Sequence, residues 1–263
     1  MLTYLFINLL TAAIPVAYSF HKRLNFYGTW AAFWPAIFLT GIFFISWDVI
    51  FTNLGVWGFN QKYLLGVSLL GLPIEEWLFF VCIPYACVFT YHCLKQLIKK
   101  DYLGEHVKGI TLSLAAMLFL IAIWNLDKAY TSVTFLALSV FLLLHLFVLK
   151  SEYLGRFYFT YLILLIPFFV VNGILTGSFI KEEVVWYNSN ENLGVRIFTI
   201  PIEDVFYGFL LILTNVTFYE ALLSKRPILK SARKTAKLRN LNCEKRTGST
   251  IEMSKIQRCE TMG

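Results

Sequence analysis

Apolar residues fall into seven long runs, over roughly 2–20, 30–51, 73–94, 109–125, 131–149, 157–177 and 199–223, with shorter polar stretches between them. Each run is close to the ~20 residues a helix needs to cross ~30 Å of hydrocarbon. The pattern predicts an all-α integral membrane protein of about seven transmembrane helices. The first run does not read as a cleaved leader, because no basic residue precedes it and His21-Lys22-Arg23 follows it.

The third and seventh runs open on nearly the same four residues, Pro73-Ile74-Glu75-Glu76 and Pro201-Ile202-Glu203-Asp204. A Val-Trp pair stands upstream of each (Val56-Trp57 and Val185-Trp186), and further back Phe43-Phe44 and Phe168-Phe169 lead to the polar pairs Trp47-Asp48 and Asn172-Gly173. Such self-similarity predicts an internal repeat. Two parallel three-helix repeats joined by one linking helix, a 3+1+3 plan, account for it. The expected boundaries are 1–100 for the first repeat, 101–128 for the linking helix, 129–223 for the second repeat and 224–263 for a basic tail. An odd linker gives both repeats the same orientation, so both acidic motifs start their helices at one membrane face.

Composition agrees with a membrane protein. The chain is 58% hydrophobic and 15% charged, whereas soluble domains average about 45–50% and about 25%. The net charge of +7 raises the question of a nucleic-acid partner. Its placement answers no: 224–263 holds 11 Lys and Arg against Glu244, Glu252 and Glu260, leaving the rest near neutral. That segment predicts a disordered cytoplasmic tail near anionic lipid headgroups.

Charge also orients the bundle. The odd-numbered connections and the tail hold 19 Lys and Arg, and the even-numbered ones only Lys62, Lys128, Lys181 and Arg196. The positive-inside rule then puts the N-terminus outside, the C-terminus in the cytoplasm and the acidic motifs at the outer face of the cell membrane. The stretches 52–72 and 178–198 precede the motif helices, and their Trp57, Phe59, Tyr63, Trp186 and Tyr187 suit interfacial anchoring. The five cysteines form no C-x-x-C and the four histidines are scattered, so neither a disulfide nor a metal is expected.

Proline is favoured at the first position of a helix, and carboxylates in the first turn meet free N–H groups and the helix dipole. A plain helix start would explain one such motif. Two copies at equivalent points, flanked by Leu69-Leu70-Gly71-Leu72, Trp77-Leu78-Phe79-Phe80, Ile197-Phe198 and Val205-Phe206-Tyr207, demand more. A carboxylate at a helix centre in hydrocarbon costs at least ~2.5–3.5 kcal/mol on insertion scales, so intramembrane acids mark function by default. Adjacent acids let one hold a proton while the other holds charge, and a carboxylic acid that keeps its proton is what general acid catalysis requires.

The duplicated Pro-x-Glu-Glu/Asp motif in this frame resembles the membrane-embedded lycopene beta-cyclases of heterodimeric or fused two-domain type. The likeness covers roughly 1–223 and omits the tail. The resemblance implies a redox-neutral isomerisation, an intramolecular lyase reaction of carotenoid biosynthesis. A proton adds to the terminal double bond of each psi end of lycopene, a neighbouring double bond attacks the tertiary cation, and loss of a ring proton gives a beta ring, hence gamma- and then beta-carotene. By motif, Glu75 and Glu203 map as proton donors, with Glu76 and Asp204 tuning them or returning the proton. The family implies no bound flavin, and no G-x-G-x-x-G fingerprint is present; no cofactor is expected. Aromatic faces steady cations, so Trp77, Phe80, Phe206 and Tyr207 are candidate substrate contacts, with Asp48 and Asn172 as hydrogen-bond partners ending their helices on the motif side. Expected partners are lycopene, other polyene carotenoids and the bilayer. Contact with other carotenoid-pathway enzymes, the beta or epsilon form of the ring and the number of ends closed stay open at this point.

The main rival is a small 3+1+3 membrane transporter with a midplane site. It calls for polar residues near the helix centres, whereas these acids lie toward one face among aromatics. A retinal protein needs a lysine inside a helix, and no run contains one.

Overall fold

The computed structural model describes residues 2–225. By contacts the chain divides into Met1–Tyr219 and Glu220–Gly263. The former holds every residue of the site described below, and the expectation for the basic tail falls almost entirely outside the described residues.

Seven α-helices account for the seven runs: α1 Thr3–Ser19, α2 Trp30–Asn53, α3 Ile74–Leu97, α4 Val107–Trp124, α5 Ala129–Phe147, α6 Leu154–Leu175 and α7 Ile202–Lys225. Among the described residues, these seven are the α-helices, and six of them are long and apolar enough to cross a membrane. The 17 residues of α1 reach about 25 Å at 1.5 Å per residue, the short end of the spanning range. Helix α1 packs on α3, α2 on α3, α3 on α6, and α4 on α5.

The burial pattern is that of a protein with hydrocarbon outside. Leu10, Phe38 and Ile166 are each about 70% exposed, while Asn8, Asp48, Glu75, Glu76, Glu203 and Asp204 are buried. Lipid cannot satisfy polar groups, so these side chains turn inward and find partners there. Helices α1, α2, α3 and α6 each contain a proline (Pro15, Pro35, Pro84 and Pro167), tolerated where neighbouring helices and side chains re-satisfy the freed backbone.

The two connections that precede the motif helices fold into short strands instead of open loops. Strands β1 (Trp57–Phe59) and β4 (Val185–Tyr187) pair antiparallel, with Gly58 opposite Trp186 and Trp57 opposite Tyr187. Flanking bonds extend the pairing, from Asn60 N to Val184 O at 2.8 Å and from Asn188 N to Val56 O at 2.9 Å. Two tight hairpins follow. One joins β2 (Ser68–Leu69) to β3 (Leu72–Pro73), and the other joins β5 (Arg196–Ile197) to β6 (Ile200–Pro201). Leu70 (φ 55°) and Phe198 (φ 57°), 128 positions apart, turn the two tips in the left-handed region, which two-residue hairpins need and which costs a residue with a Cβ about 1–2 kcal/mol.

Each hairpin delivers the chain into its motif helix. Pro73 caps α3 from an extended conformation (φ −62°, ψ 147°), one place earlier than the first helical position. Ile74 N donates to Val67 O at 3.0 Å and Ile202 N to Val195 O at 2.9 Å, so the same bond closes both hairpins. The run expected over 199–223 accordingly begins as a strand and becomes helix at Ile202.

Candidate active site

The first and second acids of each motif do different things. Glu75 and Glu203 are both fully buried and face back toward their own connections. Glu75 Oε1 accepts from Leu65 N at 2.6 Å and Glu203 Oε1 from Leu193 N at 2.7 Å. Thr131 Oγ1 adds a second bond to Glu203 at 2.6 Å, and Asn8 Nδ2 holds the Glu75 carbonyl oxygen at 2.8 Å. The Leu65 and Leu193 bonds fasten each connection to the start of its motif helix.

Glu76 and Asp204 point the other way, into a common cavity. Tyr4, near the start of α1, donates its hydroxyl to Glu76 Oε2. Tyr130, near the start of α5, donates to Asp204 Oδ1 at 2.5 Å, and Tyr187 of β4 donates to Asp204 Oδ2 at 2.9 Å. A third carboxyl, Asp48 near the end of α2, accepts from the indole N–H of Trp57 at 2.5 Å. All of these residues line one cavity. Its remaining wall is mostly apolar, including Phe79, Leu164, Phe168 and Leu211.

Aromatic rings crowd the Asp204 side. The Trp57 ring lies 5.0 Å from Tyr130, 6.1 Å from Tyr207 and 6.4 Å from Tyr187. Tyr130 and Tyr187 stack at 5.8 Å and 11°. Tyr187 is half-buried; desolvation of its phenol first, then the charge and hydrogen bond of Asp204, then the charges of Glu76 and Asp48, hold it well above the usual tyrosine range. It therefore stays a donor. A cavity with three carboxyls, hydroxyl donors and electron-rich ring faces can pass protons and steady a cation.

The expected site residues separate into groups. Asp48, Asn172, Tyr207, Glu76 and Asp204 line the cavity. Trp77 and Phe80 instead line an apolar groove on the far side of α2 and α3, with Phe38 and Ile42, and Trp77 Nε1 donates to Leu69 O at 3.2 Å to hold the first hairpin. Phe206 packs its ring against Phe135 at 4.9 Å. Trp57 and Tyr187, read from the sequence as interfacial anchors, turn toward the carboxyls, Trp57 buried and Tyr187 half-buried, because an indole N–H and a phenol placed there find acceptors. Tyr4 and Tyr130 escaped the sequence reading altogether. Their signal was available: they stand 126 positions apart, while the acids they serve stand 128 apart.

A family model described as Lycopene cyclase matches residues 1–94 and 127–222, well over half of the chain. The chain belongs to the lycopene cyclase family. It is accordingly a carotenoid cyclase, an enzyme of carotenoid biosynthesis that acts on a carotenoid from within a lipid environment, and the match does not favour the transporter reading. The comparisons with curated proteins and with solved structures each return no match. The two matched segments of this cyclase hold one acidic motif each, and the stretch between them, 95–126, contains α4.

Proposed function

We propose that this cyclase converts the psi ends of lycopene to beta rings by acid catalysis, without net oxidation or reduction. The observation that carries the reading is the meeting of Glu76, Asp204 and Asp48 in one aromatic-lined cavity among membrane-spanning helices. In the proposed sequence a protonated carboxyl gives its proton to the terminal double bond of the substrate. The resulting tertiary cation, facing Trp57, Tyr130, Tyr187 and Tyr207, is attacked by the neighbouring double bond, and a six-membered ring closes. A carboxylate then takes a ring proton, so the substrate gains one proton and loses one. The class is an isomerase acting as an intramolecular lyase.

Because the second acid of each motif lines the cavity, Glu76 and Asp204 are the proposed proton-transfer groups. Glu75 and Glu203 are proposed as positioning residues that fix the helix starts through Leu65 and Leu193. This exchanges the roles that the motif resemblance assigns within each pair.

The organisation proposed with it is a pair of three-helix repeats, 1–100 and 129–223, around a linking helix in 101–128. Supporting this are the two matched segments, offset by the same 126 to 128 positions as the tyrosine–acid pairs and the hairpin bonds. Equivalent segments related by a two-fold axis along the membrane normal meet antiparallel at that axis, which is how β1 and β4 meet. From the charge distribution we propose a cell-membrane location with the N-terminus outside and the C-terminus in the cytoplasm.

The test is expression in a lycopene-making host followed by pigment analysis. The proposal predicts beta-ring carotenoids at the expense of lycopene. Lycopene left acyclic while the protein is present in the membrane contradicts it.

A further inference from the structure

Duplication of the acidic motif invites a simple idea, that each motif attends to one end of a substrate with two reactive ends. The geometry points elsewhere. Asp48 and Glu76 come from the first half and Asp204 from the second, yet all three line the same cavity. Trp57, on the connection of the first half, is the hub: its N–H reaches Asp48 at 2.5 Å, and its ring lies 5.0 Å from Tyr130, which holds Asp204 at 2.5 Å. Tyr207 closes the other side, its ring 5.4 Å from Phe44 and 5.6 Å from Trp47 of α2. Two ring widths thus separate a carboxyl of one half from a carboxyl of the other.

The β1–β4 pairing makes this crossing structural. Trp57 and Tyr187 are register partners across the pairing, so the residue bonded to Asp48 and a residue bonded to Asp204 stand opposite each other on one two-stranded ribbon. The large groove on the outer side of α2 and α3, by contrast, is lined without any carboxyl. An extended forty-carbon polyene is comparable in length to the ~30 Å of bilayer hydrocarbon. Its two ends cannot both lie against groups separated by two rings.

We infer that the two acidic motifs form one reaction centre, so that every ring closure draws on both halves, and a substrate with two open ends must enter twice, reversed between passes. The inference rests on the cyclase reading above and adds to it the way the two ends are handled. Protons balance within each pass: the carboxyl that protonates the terminal double bond and the carboxylate that accepts the ring proton both lie in this centre.

Single-acid variants separate the two arrangements. Purified wild type, Glu76→Gln and Asp204→Asn are supplied with lycopene in detergent micelles, and acyclic, monocyclic and dicyclic pigments are resolved over time. One shared centre predicts that each variant loses the first and the second closure in the same proportion, by about a hundredfold or more, and leaves acyclic lycopene. Tyr4→Phe and Tyr130→Phe, which keep the ring and remove only the hydroxyl, are expected to slow both closures by a common factor, roughly tenfold, and decide the matter should the carboxyl variants not accumulate. A variant that makes monocyclic product at close to the wild-type rate and then stops overturns the inference, since it leaves one end served by an intact second centre. Wild type that closes no ring at all overturns the cyclase reading and this inference with it.

Discussion

Trp57 donates its indole N–H to Asp48 Oδ1 at 2.5 Å, tying a residue of the first connection to a carboxyl nine positions before it, inside the cavity. Asp48 is only 2% exposed, so no bulk water replaces that donor when it is removed. Trp57→Phe keeps the ring and loses the bond. The expected result is a fall in stability of about 1–3 kcal/mol in detergent melting, with cyclisation reduced at least tenfold. Asp48→Asn, with Trp57 in place, retains a carbonyl acceptor for the indole N–H and is expected to keep most of the stability but not the activity.

The four motif acids should fall into two classes. Glu76→Gln and Asp204→Asn remove a proton-transfer group from the cavity and are expected to cut turnover by about 10²–10⁴-fold while the protein still melts near the wild-type temperature. Glu75→Gln and Glu203→Gln keep an oxygen that can accept from Leu65 N and Leu193 N, so they should retain more activity than either cavity variant. Glu75→Ala and Glu203→Ala remove the acceptor of the Leu65 and Leu193 N–H groups and are expected to lose about 0.5–1.5 kcal/mol of stability. Parallel assays of turnover and melting across the six variants check the division.

Gly58 is required by proximity. A Cβ there would lie 2.4 Å from Cζ2 and 2.6 Å from Cε2 of the Trp186 ring. Gly58→Ala must push that ring off the β1–β4 pairing, at a cost of about 1–3 kcal/mol, and the displacement reaches Trp57 and Tyr187 on either side. Activity is expected to fall with stability. Trp186→Ala in the same chain removes the obstacle and is expected to recover most of the loss.

The ion pair on the outside of the connections should matter little. Lys62 Nζ lies 2.7 Å from Glu182 Oε1 with both side chains largely exposed. Their hydrogen bond and mutual charge raise the Lys62 ammonium and lower the Glu182 carboxyl relative to their ordinary values. The lysine contribution is present below its unfolded value and is lost as pH rises through the raised one. The glutamate contribution is present above its unfolded value and is lost as pH falls through the lowered one, so the pair is complete across neutral pH. Exposed pairs of this kind are screened by salt. Lys62→Met is expected to leave cyclisation at neutral pH within about twofold of wild type, measured at low and at high salt.

Most of the fold is written in the hydrophobic runs. Their lengths give the helices to within a few residues, because only a helix satisfies its own backbone in hydrocarbon. The motif acids are legible for the same reason, since carboxyls in apolar runs are costly and stand out. Their directions are not. Glu75 and Glu76 are neighbours on one helix turn, and only the hairpin before them decides that Glu75 meets Leu65 N and Glu76 meets Tyr4. The hairpins themselves are hidden, because their tips carry Leu70 and Phe198 where glycine or asparagine would announce a left-handed turn. Trp57 and Tyr187 look like interfacial residues from the sequence. What draws them inward is the pairing of two connections more than a hundred residues apart, which no local pattern encodes.

Proton delivery from cavity carboxyls to the substrate is the centre of this account, and cyclisation in D₂O tests it most directly. A carboxyl exchanges its proton with solvent, while the ring proton lost at the end was bound to carbon from the start. Mass spectrometry of the products should therefore show one solvent deuterium retained for each ring formed, with no added electron donor or acceptor. Rings formed without deuterium, or only when an electron carrier is supplied, would contradict it.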